Sequence, residues 1–430
     1  MVGQNNAQDL LARAARCFPG GVLHHLTAFR ERPPVVIARG KGSRMWDVDG
    51  KEYIDYYLGS ASLTLGHAHP EVDEAVRRQQ EAGVHFFELT SAAVELAELI
   101  IDAVPSAQRL KYAMSGTEAV LAAVRVARAH TGRTKILKFE GAYHGSHDWM
   151  LWATRHQQPL SYPAAEPDSA GIPRELQSFV LIAPYNDVDT FAGLVQRHHN
   201  ELAAVVAEPL LGNVQPKPGF LEAVRRVTRE ANIPLIFDEV VSGFRLAMGG
   251  AQERYGVVPD LTALGKSLGG GLPIGALVGR TDLMDRFNPS RVASGEAVLH
   301  VGTFSGNPLS CAAGAAALKV LKRPGTFERL RALGQRLSDG LREISARLGV
   351  PTHVMNEGPT VDMWFTDREV TSYPDTWKAD SAKARRYKLG LLDRGIWSPP
   401  GFKMFLSLAH SDADIDRTLE AAEASMRAVA

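Results

Sequence analysis

The feature that most constrains the fold is a long stretch, about residues 92–285, in which helical segments alternate with short apolar runs. Its helical segments begin with Ala92–Ala103 and Thr117–His130. The apolar runs have the length of strands and are Lys135–Phe139, Ala203–Ala207, Pro234–Asp238, Leu261–Leu264 and Ala276–Val278. Short apolar runs between helices predict a buried, mainly parallel sheet that is covered on both faces. We therefore predict an α/β fold.

The segments on either side of this stretch have a different character. Before it, a helix is predicted over Ala7–Cys17, and an alternating segment, Met45–Asp55, carries an Asp-Gly hairpin signal. Beyond about residue 322 we predict a charged amphipathic helix, two strands and a last helix with capping-box spacing: Thr326–Leu348, Val361–Phe365, Met404–Leu408 and the helix after Ser411. We predict three parts: an N-terminal segment and hairpin (1–65), a large domain (66–322) and a small C-terminal domain (323–430). The smaller α+β lobe draws on both ends of the chain.

The composition excludes several classes of protein. The chain has 48 basic and 48 acidic residues, so it carries no excess positive charge for nucleic acid. No apolar run approaches the roughly 18–20 residues of a membrane span, and the start lacks the pattern of a signal peptide. The two cysteines, Cys17 and Cys311, form no disulfide framework or cysteine zinc site. We expect a cytoplasmic protein without nucleic-acid or membrane partners.

Residues whose side chains can react or bind a ligand cluster where the predicted strands end. Open α/β sheets bind ligands at this edge. Asp238 and Glu208 each end a strand, and Lys266 follows a third strand in a glycine-rich loop. Two further motifs follow a strand or open a helix: Tyr143-His144-Gly145 and Ser115-Gly116-Thr117. Each residue alone has an ordinary interpretation, such as a helix cap, an ion pair, a solvated charge or packing.

Together these residues fit one ligand that carries a phosphate, an aromatic face, a basic ring nitrogen and an aldehyde, namely pyridoxal 5′-phosphate. Lys266 is expected to form the Schiff base, and Asp238 to keep the ring nitrogen protonated. Desolvation lowers the pKa of such a lysine, which makes it a nucleophile and a proton carrier. Tyr143 offers a ring for stacking. The hydroxyls and backbone N–H groups of Ser115–Thr117 suit a phosphate at a helix N-terminus.

The chain resembles the class III, fold-type-I enzymes that depend on pyridoxal phosphate, within them the glutamate-1-semialdehyde aminomutase-like branch. The resemblance covers nearly the whole chain, and its motifs are Ser115–Ala119, Tyr143–Gly145, Asp238–Val240, Gly265-Lys266 and Gly302–Pro308. It implies the fold-type-I architecture, with Lys266 and Asp238 in the roles just given. It also implies that Tyr143, His144, Glu208 and Val240 lie beside the cofactor. Finally, it implies a homodimer with the site at the subunit interface, where Thr303 reaches the phosphate of the neighbouring subunit.

The sequence departs from the aminomutase pattern at two places. Thr27 stands where that pattern has an arginine for the substrate carboxylate, and Gly401–Phe405 replaces a longer segment near the C-terminus. Loss of a planar bidentate clamp is not a conservative change. We therefore expect a ping-pong aminotransferase that moves an amino group from an amino acid or amine to a carbonyl acceptor. An aminomutase or a racemase on the same scaffold is the alternative.

Other assignments stay open at this stage. His24, His25 and Lys403 are candidates for substrate binding, and Arg245 is either a substrate residue or a structural one. His144 and His147 have the spacing of a metal pair, but no third ligand is evident, so we expect no metal. Two alternatives to an enzyme come from other classes of protein. One is a protein that binds the cofactor without turnover, and the other is a nucleotide-binding α/β protein.

Overall fold

The computed structural model of the chain describes residues 6–24, 32–212 and 214–430. In these ranges the strands, numbered in chain order, form three sheets. The N-terminal sheet contains β1 (Ile37–Lys41), β2 (Arg44–Asp47), β3 (Glu52–Asp55) and β13 (Ile396–Trp397). The central sheet contains β4 (Arg109–Ala113), β5 (Lys135–Phe139), β6 (Val180–Ala183), β7 (Leu202–Ala207), β8 (Leu235–Asp238), β9 (Leu261–Leu264) and β10 (Gly275–Gly279). The C-terminal sheet contains β11 (His353–Glu357), β12 (Thr360–Trp364) and β14 (Met404–Phe405).

The α-helices of the same ranges are also numbered in chain order. Those that precede or surround the central sheet are α1 (Ala7–Cys17), α2 (Leu58–Ala61), α3 (Pro70–Ala82), α4 (Ser91–Ala103), α5 (Gly116–Thr131), α6 (Val188–His198), α7 (Phe220–Glu230), α8 (Gly250–Tyr255), α9 (Thr281–Met284) and α10 (Pro308–Leu321). Those of the C-terminal part are α11 (Thr326–Leu348), α12 (Tyr373–Lys378), α13 (Ser381–Asp393) and α14 (Asp412–Arg427). None of them combines the length and apolar character that crossing a membrane requires.

The central sheet has seven strands in the order β4-β10-β9-β8-β7-β5-β6. The pairs from β9 to β6 are parallel, whereas β10 runs antiparallel to both β4 and β9. This arrangement confirms the predicted mainly parallel sheet. The sequence predicted five of the seven strands and missed the two at the edges, β4 and β6.

Alternate residues along the central strands pack on opposite faces of the sheet, as the twofold period of a strand requires. In β7, Val205 and Ala207 belong to the apolar core that includes α6 and α7. Ala204 and Val206 of the same strand pack into the core around α5. All six residues of β7 are buried, which explains why the strand is an uninterrupted apolar run.

The two ends of the chain meet in the smaller lobe. The predicted hairpin is the antiparallel pair β2 and β3, and β13 from the C-terminal part adds to β3 in parallel. Ile54 and Tyr56 pack into a core with residues of α11, α13 and α14. The last helix begins with the predicted capping box between Ser411 and Asp414. The boundaries at residues 65 and 322 stay a prediction.

Candidate active site

A cavity of about 770 Å³ lies at the carboxyl ends of β5, β7, β8 and β9. Nine of the residues predicted to bind the cofactor line it: Ser115, Gly116, Thr117, Tyr143, His144, Glu208, Asp238, Val240 and Lys266. These residues come from separate parts of the chain, and the carboxyl ends of neighbouring parallel strands bring them together.

Lys266 follows β9 after one residue, Gly265, and begins a short 3-10 helix that ends at Gly269. Its φ is 47°, in the left-handed region that side chains other than glycine rarely adopt. Such a conformation costs on the order of 1–3 kcal/mol and is typical of functional sites. Burial lowers the pKa of the Lys266 amine, while the charges of Asp238 and Glu208 oppose that shift. A buried amine of this kind is suited to nucleophilic attack and to proton transfer.

Asp238 ends β8 and is held in a fixed orientation. Its Oδ2 lies 2.8 Å from Nδ1 of the buried His144 ring, and its Oδ1 accepts a hydrogen bond from the Val240 N–H at 3.0 Å. Only 6% of Asp238 is exposed. A carboxylate with both oxygens engaged in this way cannot rotate freely, so it presents a defined negative edge to the cavity.

The N-terminus of α5 forms one wall of the cavity. Ser115 is the N-cap of this helix, and its Oγ accepts a hydrogen bond from the Glu118 N–H at 3.3 Å. The first N–H groups of a helix have no partner within the helix, and the helix dipole favours an anion there. Ser115 is therefore a cap, as its ordinary interpretation has it, and it also lines the cavity.

Glycine is required next to this helix start because the surrounding atoms are close. A Cβ at Gly116 would lie 2.6 Å from Val240 Cγ2, and one at Gly145 would lie 2.7 Å from the Thr117 Oγ1. Gly145 also has a φ of 95°. The backbone of the turn can thus approach a ligand where a side chain would fill the space.

Tyr143 and Glu208 form one unit. The Tyr143 N–H donates to Glu208 Oε1 at 2.8 Å, and the Gly212 N–H donates to Glu208 Oε2 at 3.2 Å. The ring of Tyr143 is half exposed toward the cavity. Glu208 is buried and fixes the two loops that flank this ring.

The candidates for substrate binding have different outcomes. His24 lines the cavity, and His25, like Thr27, lies outside the described residues. Lys403 also lines the cavity. The ordinary interpretation of such a lysine is an exposed, solvated side chain, but Lys403 is buried. Its ammonium donates to the carbonyl oxygen of Gly212, and burial lowers its pKa to about 8.

Two further candidates, Arg245 and His147, have buried side-chain nitrogens. The fully buried Arg245 guanidinium donates to the carbonyls of Ala61 and Val241 and to Ser267 Oγ, and burial lowers its pKa to about 9. His147 is a buried ring whose pKa is lowered to about 4 by desolvation. The described residues contain no group of three or more side chains arranged to hold a metal ion.

Thr303 is the one predicted cofactor residue that does not line the cavity of its own chain. It lies exposed in the loop before α10, and its neighbours Val301 and Phe304 are exposed as well.

Several residues that line the cavity escaped sequence reasoning. Tyr57 and Phe402 pack edge to face with ring centroids 4.9 Å apart, and both belong to loops. Ser60 joins them from α2, a single helical turn in which Gly59 and Ser60 both have left-handed backbone angles. These residues belong to no motif, and the only signal was the Gly401–Phe405 segment near the C-terminus.

The donor set suits pyridoxal phosphate. Lys266 supplies an amine for the aldehyde, Asp238 an anchored carboxylate for the ring nitrogen, and Tyr143 a flat ring. The start of α5 offers amide N–H groups for a phosphate, and the space beside Gly116 is closed to any side chain. A seven-stranded, mainly parallel sheet with this site at its edge defines the fold-type-I class of pyridoxal phosphate enzymes.

Comparison with known proteins identifies the family. The model of the class-III aminotransferases matches residues 27–425. The chain is 41% identical to glutamate-1-semialdehyde 2,1-aminomutase 2 of Brevibacillus brevis, with 99% of each protein covered. An omega-transaminase from Sphaerobacter thermophilus is 36% identical with a TM-score of 0.94, and the match covers 100% of this chain and 98% of that one. A solved transaminase with pyridoxal phosphate bound is 29% identical with a TM-score of 0.90, over 100% and 99% of the two chains. The chain belongs to the class-III aminotransferase family, and its cofactor is pyridoxal phosphate.

Proposed function

We propose that the protein is an aminotransferase that moves an amino group between an amino acid or amine donor and a carbonyl acceptor. The observation that carries this proposal is the cavity itself, in which Lys266 and Asp238 lie with no arginine among the described lining residues. An arginine is the side chain best suited to clamp a substrate carboxylate with two parallel hydrogen bonds. Its absence among these residues, together with Thr27 in the sequence, supports a broader choice of amine than the aminomutase pattern allows.

The roles of the residues follow from their environment. When bound, pyridoxal phosphate supplies an electron sink for the substrate carbon. Lys266, whose pKa burial lowers, would act as a neutral amine nucleophile and would carry the proton to and from that carbon. Asp238 would hold a proton on the ring nitrogen, and His144 keeps the Asp238 carboxylate in place. Tyr143 would offer its ring to the cofactor, and the N–H groups of Gly116 and Thr117 would hold the phosphate.

The assembly is part of the proposal. An apolar surface around a cavity of about 600 Å³ is formed by α4, the loop before it and the loop before α10, and it exposes Phe86, Phe87, Leu89 and Val301. Large contiguous apolar surfaces of this kind mark protein interfaces. We propose that a second copy of the chain covers it in a homodimer and that Thr303 then reaches the phosphate of the neighbouring site.

The second candidate is an aminomutase or a racemase on the same scaffold. The name of the Brevibacillus brevis relative, at 41% identity over almost the whole chain, favours the aminomutase. On names alone this candidate is the better supported of the two. The omega-transaminase with a TM-score of 0.94 and the residues of the cavity favour transfer between molecules.

Single-turnover experiments separate the two candidates. The holoenzyme is mixed with one amino donor at a time, without an acceptor, across α-, β- and ω-amino acids and simple amines. An aminotransferase releases one carbonyl product per site and stops, and it resumes when an acceptor is added. Catalytic isomerisation of glutamate 1-semialdehyde without a second substrate would instead establish the aminomutase.

Two variants connect the result to the site. Lys266→Ala is expected to abolish both the half-reaction and the visible absorbance of the lysine-bound cofactor. The matched control is Lys217→Ala, because Lys217 is an exposed lysine outside the cavity. Activity that survives in Lys266→Ala would contradict the proposed role.

A further inference from the structure

A second cavity, of about 820 Å³, adjoins the active-site cavity. The two cavities share five lining residues: Gly141, Tyr143, Gly212, Gly401 and Phe402. Three of the five are glycines, and a Cβ added at Gly212 or Gly401 would meet no atom within 4 Å. The boundary therefore consists of two aromatic rings and stretches of bare backbone, with open space beside Gly212 and Gly401 and close packing at Gly141, where a Cβ would lie 2.3 Å from the Tyr373 ring.

One part of the wall of the second cavity is apolar. Leu211 and Val214 line it from the loop after β7, and Met363, Trp364 and Phe365 line it from the end of β12. Apolar walls with a few convergent polar groups are the usual composition of a small-molecule site. An alkyl or aryl chain that enters from the active site would be desolvated against these side chains.

Two of the charged groups in this cavity already have structural roles. The buried Lys388 ammonium donates to Ser398 Oγ at 2.6 Å and to the Phe402 carbonyl at 3.2 Å. The Asp380 carboxylate caps α13 by accepting from the Lys383 N–H at 2.8 Å. Neither group is available to a ligand without loss of these bonds.

Three further charged residues line the second cavity, and Arg155 differs from the other two. Arg385 and Asp362 are both engaged in interactions of their own. The Arg155 backbone is fixed, because its N–H donates to the Asp168 carboxylate at 3.0 Å. Its side chain is exposed and lines the cavity, and its guanidinium makes no hydrogen bond or ion pair with the part of the chain that the structure describes. Among the described residues it is thus a cation without a hydrogen-bonding or ion-pair partner at the rim of the second cavity.

We propose that the second cavity receives the tail of a long amino donor, and this inference rests on the proposed aminotransferase function. The amine of such a donor reaches Lys266, and its apolar chain passes between Tyr143 and Phe402 along the glycines of the boundary. Its distal end carries an anionic group, such as a carboxylate, that binds Arg155. The preferred donors are therefore long ω-amino acids or related amphiphilic amines, rather than short α-amino acids.

The test measures binding separately from turnover. The holoenzyme is titrated with β-alanine, aminohexanoate and ω-aminododecanoate, and with alkylamines of matching length that lack the carboxylate. The dissociation constant is taken from the change in the visible absorbance of the bound cofactor, and kcat/KM is measured in parallel. Affinity is expected to rise with chain length, and the longest ω-amino acid to bind more tightly than its matched alkylamine.

Two variants address the charge and the space separately. Arg155→Glu is expected to weaken binding of the longest ω-amino acid by about tenfold, the scale of one charged hydrogen bond, and to leave β-alanine unchanged. Arg174→Glu is the matched control, because Arg174 is exposed and lies outside both cavities. Ala382→Trp, on an exposed lining position of α13, fills the cavity and should weaken long donors of both kinds.

The outcomes separate this inference from the proposed function. Affinity that does not rise with chain length, or that neither variant changes for the long donors, overturns the second-cavity assignment and leaves the aminotransferase function intact. Long donors that bind in the expected way but give no carbonyl product support the cavity assignment and overturn the aminotransferase function.

Discussion

Replacement of Gly116 by alanine tests how closely the phosphate turn and the loop after β8 are packed. A Cβ at this position would lie 2.6 and 2.7 Å from the two γ-methyl groups of Val240. Carbon atoms normally approach to ~3.5–4.0 Å, so the turn and the Val240 side chain must separate by about 1 Å. The φ of Gly116 is not in the left-handed region, so the substitution acts through this contact and not through backbone strain.

The free-energy cost of the Gly116→Ala substitution follows from the packing around Gly116. Insertion of a methyl group into a closely packed site costs about 1–3 kcal/mol. The Val240 backbone is tied to the site, because its N–H donates to Asp238 Oδ1 at 3.0 Å. The displacement therefore reaches both ends of the cofactor site, and we expect Gly116→Ala to weaken pyridoxal phosphate binding by about tenfold or more.

The assay is titration of the apoprotein with pyridoxal phosphate, with urea unfolding in parallel. Val240→Ala removes the methyl groups that the new Cβ would meet, so the double variant should recover most of the lost affinity. Gly193→Ala is the control, because it lies in α6 with no atom within 4 Å of its added Cβ; there we expect stability to rise by roughly 0.5–1 kcal/mol. Wild-type affinity in Gly116→Ala, or no coupling between the two substitutions, would refute the reasoning.

Three further predictions concern charged residues. Lys403 is cationic below its pKa of about 8 and neutral above it, so KM for a carboxylate-bearing donor should rise above pH about 8; Lys403→Met should remove this dependence. Arg245→Leu should lower the free energy of unfolding in urea by about 2–4 kcal/mol, because the Ala61 carbonyl and Ser267 Oγ lose a buried donor. Asp238→Asn should lower kcat by about 10²-fold or more, because the charge that stabilises the protonated ring is lost, whereas the visible absorbance of the bound cofactor should persist.

Much of the central sheet was predictable because its middle strands are buried on both faces and form short, mostly apolar runs, in which Lys138 of β5 and Thr262 of β9 are the internal polar residues. The edge strands were not. In β4, Arg109 and Lys111 alternate with apolar residues on a partly exposed edge, and this pattern competes with that of a loop. In β6, the four residues Val180–Ala183 pair with β5 and follow a 3-10 helix, Arg174–Phe179, without an intervening turn, so no turn signal marks where the strand begins.

The centre of the candidate site was predictable for a different reason. Lys266 and Asp238 stand at strand ends, and the rules for parallel sheets place such residues together. The part of the cavity wall formed by Tyr57 and Phe402 was not predictable. These two residues lie in loops that are far apart in the sequence, and they come into contact only in the folded chain. The burial of Lys403 likewise depends on tertiary contacts that the local sequence does not encode.

The most direct test of the account is the identity of the lysine that holds the cofactor. The holoenzyme is reduced with borohydride, which makes the bond between lysine and cofactor permanent, and its peptides are then analysed by mass spectrometry. We predict a single modified site at Lys266 and no modification in Lys266→Ala. Modification at Lys403 or Lys138, the other buried lysines near the cavity whose pKa is lowered to about 8, or at no lysine, would contradict the assignment.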